Sequence, residues 1–167
     1  MSKNKLPADK QSLLAAENYE IFNRDLLRKV FPRILRELKE ENKRVKAGDL
    51  IPFYFTLLSY IDGVEYLSDG VTPNASFGAA FPNQSTVHEI TGIDTRRQTW
   101  LAEVLKQNGL LLDYEEKYIN LRRYIFYYPS FCPNISDDGF VIDAETGEKI
   151  TQDVPFLMAE LKRINKR

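Results

Sequence analysis

The feature that most constrains this chain is a series of helix start and stop signals within residues 81–110. Asn83 can cap a short first helix, and Gly92 can end that helix in a left-handed turn. Asp94 can then cap a longer second helix, which Gly109 would end. The spacing of these signals predicts a short helix, a tight turn and a longer helix.

This stretch resembles the helix-turn-helix of the winged-helix superfamily of bacterial, plasmid and phage DNA-binding proteins. The resemblance runs from about Ile51 to about Tyr128 and is carried by Phe81-Pro82-Asn83-Gln84 leading into Thr86-Val87, by Thr91-Gly92-Ile93-Asp94, and by Leu101, Leu105 and Asn108-Gly109-Leu110-Leu111. The chain departs from the family pattern at His88, where a small residue is usual, and at Gln98, where an apolar one is usual. The resemblance implies a mainly α fold with a small β-hairpin wing, in which the second helix reads DNA.

The remaining segments are predicted as extensions of this winged helix-turn-helix domain, which is taken as residues 50–128. Residues 1–9 are charged and poor in apolar side chains, which predicts a disordered arm. Residues 10–48 are predicted to form a helical hairpin, because apolar residues recur at helical spacing and Phe31-Pro32 marks a kink or a boundary. Residues 129–167 are predicted to form an α/β extension, with a small hairpin around Glu145-Thr146-Gly147 and a terminal helix capped by Asp153.

Within the central domain, apolar runs predict a buried first helix and the wing. The stretch from Leu50 to Ile61 is nearly all apolar or aromatic, as expected for that first helix. Residues 110–115 and 120–128 are predicted as the two strands of the wing, separated by the polar Glu116-Lys117-Tyr118. Arg122 and Arg123 are adjacent on the returning strand, so they should point to opposite faces.

One side of the second helix collects the polar side chains that the resemblance assigns to the major groove. With about 100° per residue, Thr95, Arg96, Thr99, Glu103 and Lys106 share this side. Arg96 and Thr99 are the first choice for base contacts, since arginine can donate two hydrogen bonds to guanine and threonine can meet a thymine methyl. Thr95 is expected at a phosphate, Arg97 at the DNA backbone, and Trp100 at a sugar or the base of the wing. The predicted DNA-binding residues are Thr95, Arg96, Arg97, Thr99, Trp100, Lys106, Arg122 and Arg123.

The distribution of charge bears on this prediction in two ways. A net charge of −1 argues against a protein that coats nucleic acid by bulk electrostatics, although a local basic face would suffice for specific binding. Residues 85–128 contain six basic and six acidic residues. Residues 24–46 contain nine basic and four acidic residues, but Glu37, Glu40 and Glu41 can pair there with Arg33, Arg36 and Arg44, which favours a solvated helix face.

Sequence motifs of enzymes are absent. His88 is the only histidine and Cys132 the only cysteine, so neither a zinc site nor an internal disulfide can be assembled. The chain has no phosphate-binding glycine loop and no dinucleotide fingerprint. We therefore expect no catalytic residue, no metal and no cofactor. The polar N-terminus and the lack of a long apolar run predict a cytoplasmic protein with no membrane contact.

Three functions remain open at this point. The first is a sequence-specific double-stranded DNA-binding transcriptional regulator of a bacterium or mobile element, forming a homodimer through its terminal helices. The DNA-binding module of a plasmid or phage replication initiator fits the resemblance equally well. The third is a winged-helix module that binds a protein partner through its aromatic wing and the acidic segment 130–153. The balanced charge of residues 85–128 favours the third function, and Arg96-Arg97 favours the first.

Overall fold

The computed structural model describes residues 17–130 and 132–166. The predicted disordered arm and the first part of the predicted helical hairpin, residues 10–16, lie outside these ranges. The described residues form a mixed α/β structure with five α-helices and two small antiparallel sheets. The helices are α1 (Phe31–Glu41), α2 (Leu50–Ser59), α3 (Gln84–Thr91), α4 (Thr95–Gln107) and α5 (Val154–Asn165), and the strands are β1 (Leu111–Ile119), β2 (Arg122–Pro129), β3 (Asn134–Ile135) and β4 (Val141–Ile142).

Over the described residues, the N-terminal segment differs from the predicted helical hairpin. Residues 19–23 are not helical, and α1 continues a π-helical segment, Leu26–Val30, so that one helix runs through Pro32. The N–H of Phe31 donates to the carbonyl of Leu26, five residues earlier. This wider turn relieves the clash that a proline ring makes with the carbonyl four residues before it. Pro32 lies in the first turn of α1, where its missing N–H costs little.

The predicted apolar first helix is confirmed as α2, and it lies in the centre of the core. Its Phe53, Tyr54 and Leu57 are buried. The ring of Tyr54 meets Phe31 of α1 at 5.6 Å between centroids, and the ring of Phe53 meets Tyr127 of β2 at 5.8 Å. A single buried cluster therefore joins α2 to α1, to the helix pair α3 and α4, to β2 and to α5.

The predicted hairpin is present as β1–β2, but its turn lies further along the chain. Ile119 pairs with Arg122, so the turn consists of Asn120 and Leu121, and the prediction of a turn at residues 116–118 is wrong. Both turn residues have positive φ, 49° and 64°. Leucine is not a turn residue by sequence statistics, so the signal was missed. A single antiparallel bridge from Ala80 to Tyr127 adds one residue to the edge of this hairpin.

The C-terminal extension differs from its prediction in the sheet and agrees in the helix. The predicted hairpin around Glu145-Thr146-Gly147 is reduced to one bridge between Ile142 and Lys149, and β4 pairs instead with β3, which was not predicted. The side chain of Asp153 caps α5 by accepting the N–H of Phe156, as expected. Across the two described ranges, every helix is too short or too polar to cross a membrane.

The terminal helix α5 runs antiparallel to α4. The N–H of Asp153, at the start of α5, donates to the side chain of Gln107 at the end of α4 over 2.8 Å. One turn into α5, the carbonyl of Leu157 accepts a 2.8 Å hydrogen bond from the indole of Trp100. The cationic end of α5 therefore lies beside the beginning of α4.

Candidate nucleic-acid interface

The turn between α3 and α4 is built from the capping residues that the sequence indicated. The side chain of Asn83 accepts the N–H of Ser85 at 3.0 Å, and Gly92 ends α3 with φ of 74°. The carboxylate of Asp94 accepts the N–H of Arg96 at 2.9 Å. This backbone hydrogen bond lowers the pKa of the Asp94 carboxyl. These local bonds fix where α4 begins and which side chains it presents first.

The two departures from the family pattern share one partner in the turn. His88 donates from Nδ1 to the carbonyl of Ile93 over 2.9 Å, and Gln98 donates from Nε2 to the same oxygen over 3.3 Å. Gln98 also donates to the carbonyl of Gln84 on α3 over 2.9 Å. Polar residues are therefore accommodated where the two helices touch, because they satisfy backbone carbonyls of the turn and of α3.

The first turns of α4 present three of the predicted residues to solvent. Thr95, Arg96 and Thr99 are exposed, and they lie on one side of the helix at three- and four-residue spacing. Among the described residues, the guanidinium of Arg96 is held only by its neighbour Asp94, with 3.2 Å between Nε and Oδ1. An exposed pair of this kind contributes little stability and yields readily to another anion.

Gln84 of α3 connects the hairpin to this part of α4. Gln84 donates from Nε2 to the carbonyl of Thr95 over 3.5 Å, and its Oε1 accepts from Arg123 of β2 over 3.5 Å. We call the group formed by Gln84, Thr95, Arg96, Thr99 and Arg123 the helix–hairpin surface. Sequence reasoning missed Gln84, although its place directly after the Asn83 cap puts it at the exposed start of α3, beside the turn.

Trp100 was predicted at a DNA sugar or at the base of the wing, and its burial does not favour a sugar contact. The indole is 1% exposed and is bonded to α5, so it belongs to the core. The sequence did not indicate that α5 would pack on this flank of α4. Trp100 therefore fixes the position of α5 and has no surface to offer a sugar.

Arg97 is also held away from the helix–hairpin surface. Its Nη2 donates to the carbonyl of Lys46 over 2.5 Å and lies 3.3 Å from the carboxylate of Asp49. Both partners belong to the segment that leads into α2. The side chain is 19% exposed, so its role is to tie α4 to that segment, and its prediction as a DNA-backbone contact is not favoured by the geometry.

Lys106 lies at the far end of α4, where it is exposed and paired with the beginning of β1. Its ammonium lies 2.9 Å from Asp113 and 5.6 Å from the ring centroid of Tyr114. The hydrogen bond to Asp113 raises the pKa of Lys106. Tyr114 also donates to Glu103 over 2.7 Å. The polar side chains in the second half of α4 are therefore paired with β1, whereas those in the first half are not.

The two hairpin arginines point to opposite faces, as adjacent strand residues must. Arg123 lies opposite Tyr118 and is paired with Glu116 at 2.8 Å, on the face that reaches Gln84. Arg122 lies opposite Ile119 and is exposed. Only Arg123 therefore belongs to the helix–hairpin surface, while Arg122 stands directly beside the turn.

A cleft runs between α4, β1 and α5, with a volume of about 430 Å³. Arg96, Thr99, Trp100 and Glu103 line it on the α4 side, and Tyr114 lines it on the β1 side. The α5 side consists of Phe156, Glu160, Arg163 and Ile164. Arg163 is paired with Glu160 at 2.6 Å. Both charge signs are therefore present along the opening, and a second arginine, Arg163, lines the same cleft as Arg96.

Elsewhere in the described part of the chain, the side chains that could act in catalysis or bind a metal do not form a cluster. His88 is committed to the turn, and Cys132 is an exposed free thiol. Residues 17–130 and 132–166 contain no group of three histidine, cysteine or acidic side chains placed to hold one metal ion. No protein-family model, curated protein or solved structure matches this chain.

Proposed function

We propose that this protein binds double-stranded DNA sequence-specifically, with the first half of α4 in the major groove and the β1–β2 hairpin along the adjacent backbone. The observation that carries the proposal is the helix–hairpin surface, in which exposed Arg96 and Thr99 adjoin Thr95, Gln84 and Arg123. A groove-reading helix needs base-contacting groups and flanking phosphate contacts on one continuous surface.

Each member of the surface has a distinct chemical role in this proposal. Arg96 donates two hydrogen bonds to guanine once its weak pair with Asp94 is exchanged for the base. Thr99 contacts a thymine methyl one turn further along α4. Thr95, Gln84 and Arg123 donate to phosphates and fix the register of α4 in the groove.

The order of the elements supports a winged-helix arrangement. The central part of the chain contains a helix (α2), a single strand-like residue at Ala80 bridged to β2, the pair α3 and α4, and then the hairpin. This is the arrangement expected from the sequence resemblance. A transcriptional regulator and the DNA-binding module of a replication initiator both require this same surface, so the proposal covers either role.

We extend the proposal to a homodimer formed through the terminal parts of the chain. Large apolar side chains are exposed around the segment before α1, namely Tyr19, Ile21, Phe22 and Leu27, and Phe156 is exposed on α5. Apolar surface of this kind favours association. Sedimentation equilibrium should give twice the chain mass, and an Ile21→Ser, Phe22→Ser double variant should sediment as a monomer.

A protein-binding module is the second candidate, and one observation favours it. The basic side chains of α4 and the hairpin are paired with acidic neighbours: Arg96 with Asp94, Lys106 with Asp113, Lys117 with Glu115 and Arg123 with Glu116. Such pairing reduces the positive potential that DNA would meet. The two candidates differ in salt dependence, because only phosphate binding must weaken steeply as salt rises.

The test combines selection with salt titration. Duplexes bound by the protein are recovered from a random pool, and one recovered duplex is titrated at two ionic strengths. Arg96→Ala should weaken binding by about 1–3 kcal/mol and relax the preference at one base pair. Arg36→Ala, which removes an exposed arginine on α1, is the matched control and should leave binding unchanged. Failure to recover any duplex, or equal binding by Arg96→Ala, would contradict the proposal.

A further inference from the structure

The cleft between α4, β1 and α5 has the size and the lining of a small-molecule site. Its volume of about 430 Å³ lies within the range of about 300–1,000 Å³ that such sites occupy in proteins. Three aromatic side chains from different elements line it, namely Trp100 of α4, Tyr114 of β1 and Phe156 of α5. The side chain of Phe156 is 46% exposed, so a ligand in the cleft would cover apolar surface that the fold leaves open.

The two arginines of the cleft lie at the same end of it. Because α5 runs antiparallel to α4, Arg163 near the end of α5 lies at the same level as Arg96 near the beginning of α4. Glu103 lies seven residues after Arg96 on α4. Phe156 lies seven residues before Arg163 on α5. At about 1.5 Å per residue along a helix, the cleft therefore has a cationic end and an aromatic end about 10 Å apart.

The acidic side chain at the aromatic end is already hydrogen-bonded within the fold. One carboxylate oxygen of Glu103 accepts from Tyr114 over 2.7 Å, and the other accepts from Gln107 over 3.1 Å. These bonds satisfy both oxygens and fix the Tyr114 ring beside α4. The aromatic end therefore offers a ligand ring surface more than charge.

The arginines at the cationic end keep donors for a ligand. Among the described residues, Arg163 donates only to Glu160, through Nη2, and Arg96 donates only to Asp94, through Nε. Each guanidinium carries several further N–H donors in a planar fork that fits a carboxylate. The two arginine side chains are 57% and 62% exposed, so their ion pairs are weak and exchange readily with another anion.

We propose that this cleft binds a small aromatic acid and that this ligand and DNA exclude each other. The acid group accepts hydrogen bonds from Arg96 and Arg163, and the ring system lies against Phe156 and Tyr114. Arg96 is also the residue proposed to donate to guanine, and its guanidinium cannot serve both partners at once. The inference rests on the proposed DNA-binding function and deepens it, because it gives the DNA-binding surface a negative effector.

The class of ligand is tested on the full chain by titration calorimetry. The probes are naphthalenecarboxylate, the uncharged naphthalenecarboxamide, the cationic naphthylmethylammonium, and acetate, which has the acid without the rings. Naphthalenecarboxylate should bind at least about tenfold more tightly than each of the other three. Equal binding of the carboxamide or of the cation would overturn the acid, and equal binding of acetate would overturn the aromatic part.

The position of the ligand is tested with a pair of variants on α5. Arg163→Gln should weaken the binding of naphthalenecarboxylate about tenfold, because it removes one of the two guanidinium groups. Lys162→Gln removes the same charge from the neighbouring exposed position, which does not line the cleft, and should bind as the wild type does. Wild-type affinity in Arg163→Gln, or an equal loss in both variants, would overturn the site.

The exclusion of DNA is measured with the duplex recovered by selection. At a naphthalenecarboxylate concentration about ten times its own dissociation constant, the dissociation constant for the duplex should rise about tenfold. Acetate at the same ionic strength should not produce this rise. Without the ligand, Arg163→Gln should bind the duplex as the wild type does, because Arg163 is outside the helix–hairpin surface, but it should need about ten times more naphthalenecarboxylate to release it.

The failure of each part gives a different result. If naphthalenecarboxylate binds in an Arg163-dependent way and the affinity for the duplex stays the same, the exclusion is wrong while the proposed function stands. If the wild type recovers no duplex, the proposed function fails and the exclusion fails with it, whereas Arg163-dependent binding would still support the ligand site. If none of the probes binds the wild type, the ligand site is wrong whatever the protein does with DNA.

Discussion

Replacing Arg33 by methionine should destabilise the protein strongly, because Arg33 is a charged side chain that the fold buries. The side chain is 2% exposed, and it stacks on Phe140 with 4.1 Å between Cζ and the ring centroid. Its Nε donates to the carbonyl of Gly139 at 2.9 Å, and Nη2 donates to the side chain of Asn108 at 3.0 Å. Nη1 lies 3.1 Å from Glu37. Burial lowers the pKa of Arg33, and the pairing with Glu37 opposes that effect.

The size of the effect follows from the groups left behind. Methionine keeps most of the volume but leaves the Gly139 carbonyl and the Asn108 amide oxygen without their donor, at about 1–3 kcal/mol each. The free-energy cost of leaving Glu37 without Arg33 is smaller, because Glu37 is 28% exposed and still accepts a hydrogen bond from Gln152 over 2.7 Å. Methionine also removes the free-energy cost of burying a charged guanidinium, and this offsets part of the destabilisation. The net cost should be about 3–5 kcal/mol, the range measured when one partner of a buried pair is removed.

Chemical unfolding in urea, followed by circular dichroism, measures this cost directly. For a chain of this length the melting temperature should fall by about 10 °C. Arg36→Met, on the exposed side of α1, is the matched control and should change stability by less than about 0.5 kcal/mol. The reasoning would be refuted if Arg33→Met unfolded at the same urea concentration as Arg36→Met.

Three further predictions concern other parts of the fold. Gly139→Ala should cost about 2–4 kcal/mol in urea unfolding, since φ is 88° and an added Cβ would lie only 2.4 Å from the carbonyl oxygen of Lys29; an unchanged midpoint would contradict this. Asp94→Ala should lower the urea midpoint through loss of the α4 cap, whereas Asp94→Asn, which keeps an acceptor oxygen, should retain most of the stability. The folded-state pKa of Asp138 is lowered from 3.8 to about 2 by hydrogen bonds from Lys149 and Ser136, so its contribution should be complete above pH 4 and disappear as the pH falls through 2. Asp138→Asn should flatten that part of the stability profile, and equal acid profiles would contradict the assignment.

The features that could be predicted from the sequence are those fixed by a few neighbouring residues. Helix caps depend on a local hydrogen bond, which Asn83, Asp94 and Asp153 supply. The left-handed helix ends depend on a positive φ, which Gly92 and Gly109 adopt. The same is true of the apolar run that became α2. Local chemistry of this kind does not depend on how the elements later pack.

The features that were missed depend on contacts between distant residues or on rare backbone states. Trp100 was assigned to the surface because nothing near it in the sequence indicates that α5 packs there. Arg33 was expected on a solvated helix face, and its burial depends on Gly139 and Asn108, which lie far along the chain. The turn at Asn120-Leu121 and the π-helical segment before Pro32 use conformations that ordinary residue preferences do not indicate.

Trp100 is the only tryptophan in the chain, and it lies at the junction of α4 and α5. Its fluorescence therefore reports on this junction alone, without a label and without a competing signal from other indoles. Any compound or nucleic acid that separates the two helices would admit water to the ring and move its emission to longer wavelength. The native protein can thus be screened for ligands of the cleft beside Arg96 by following one spectral shift.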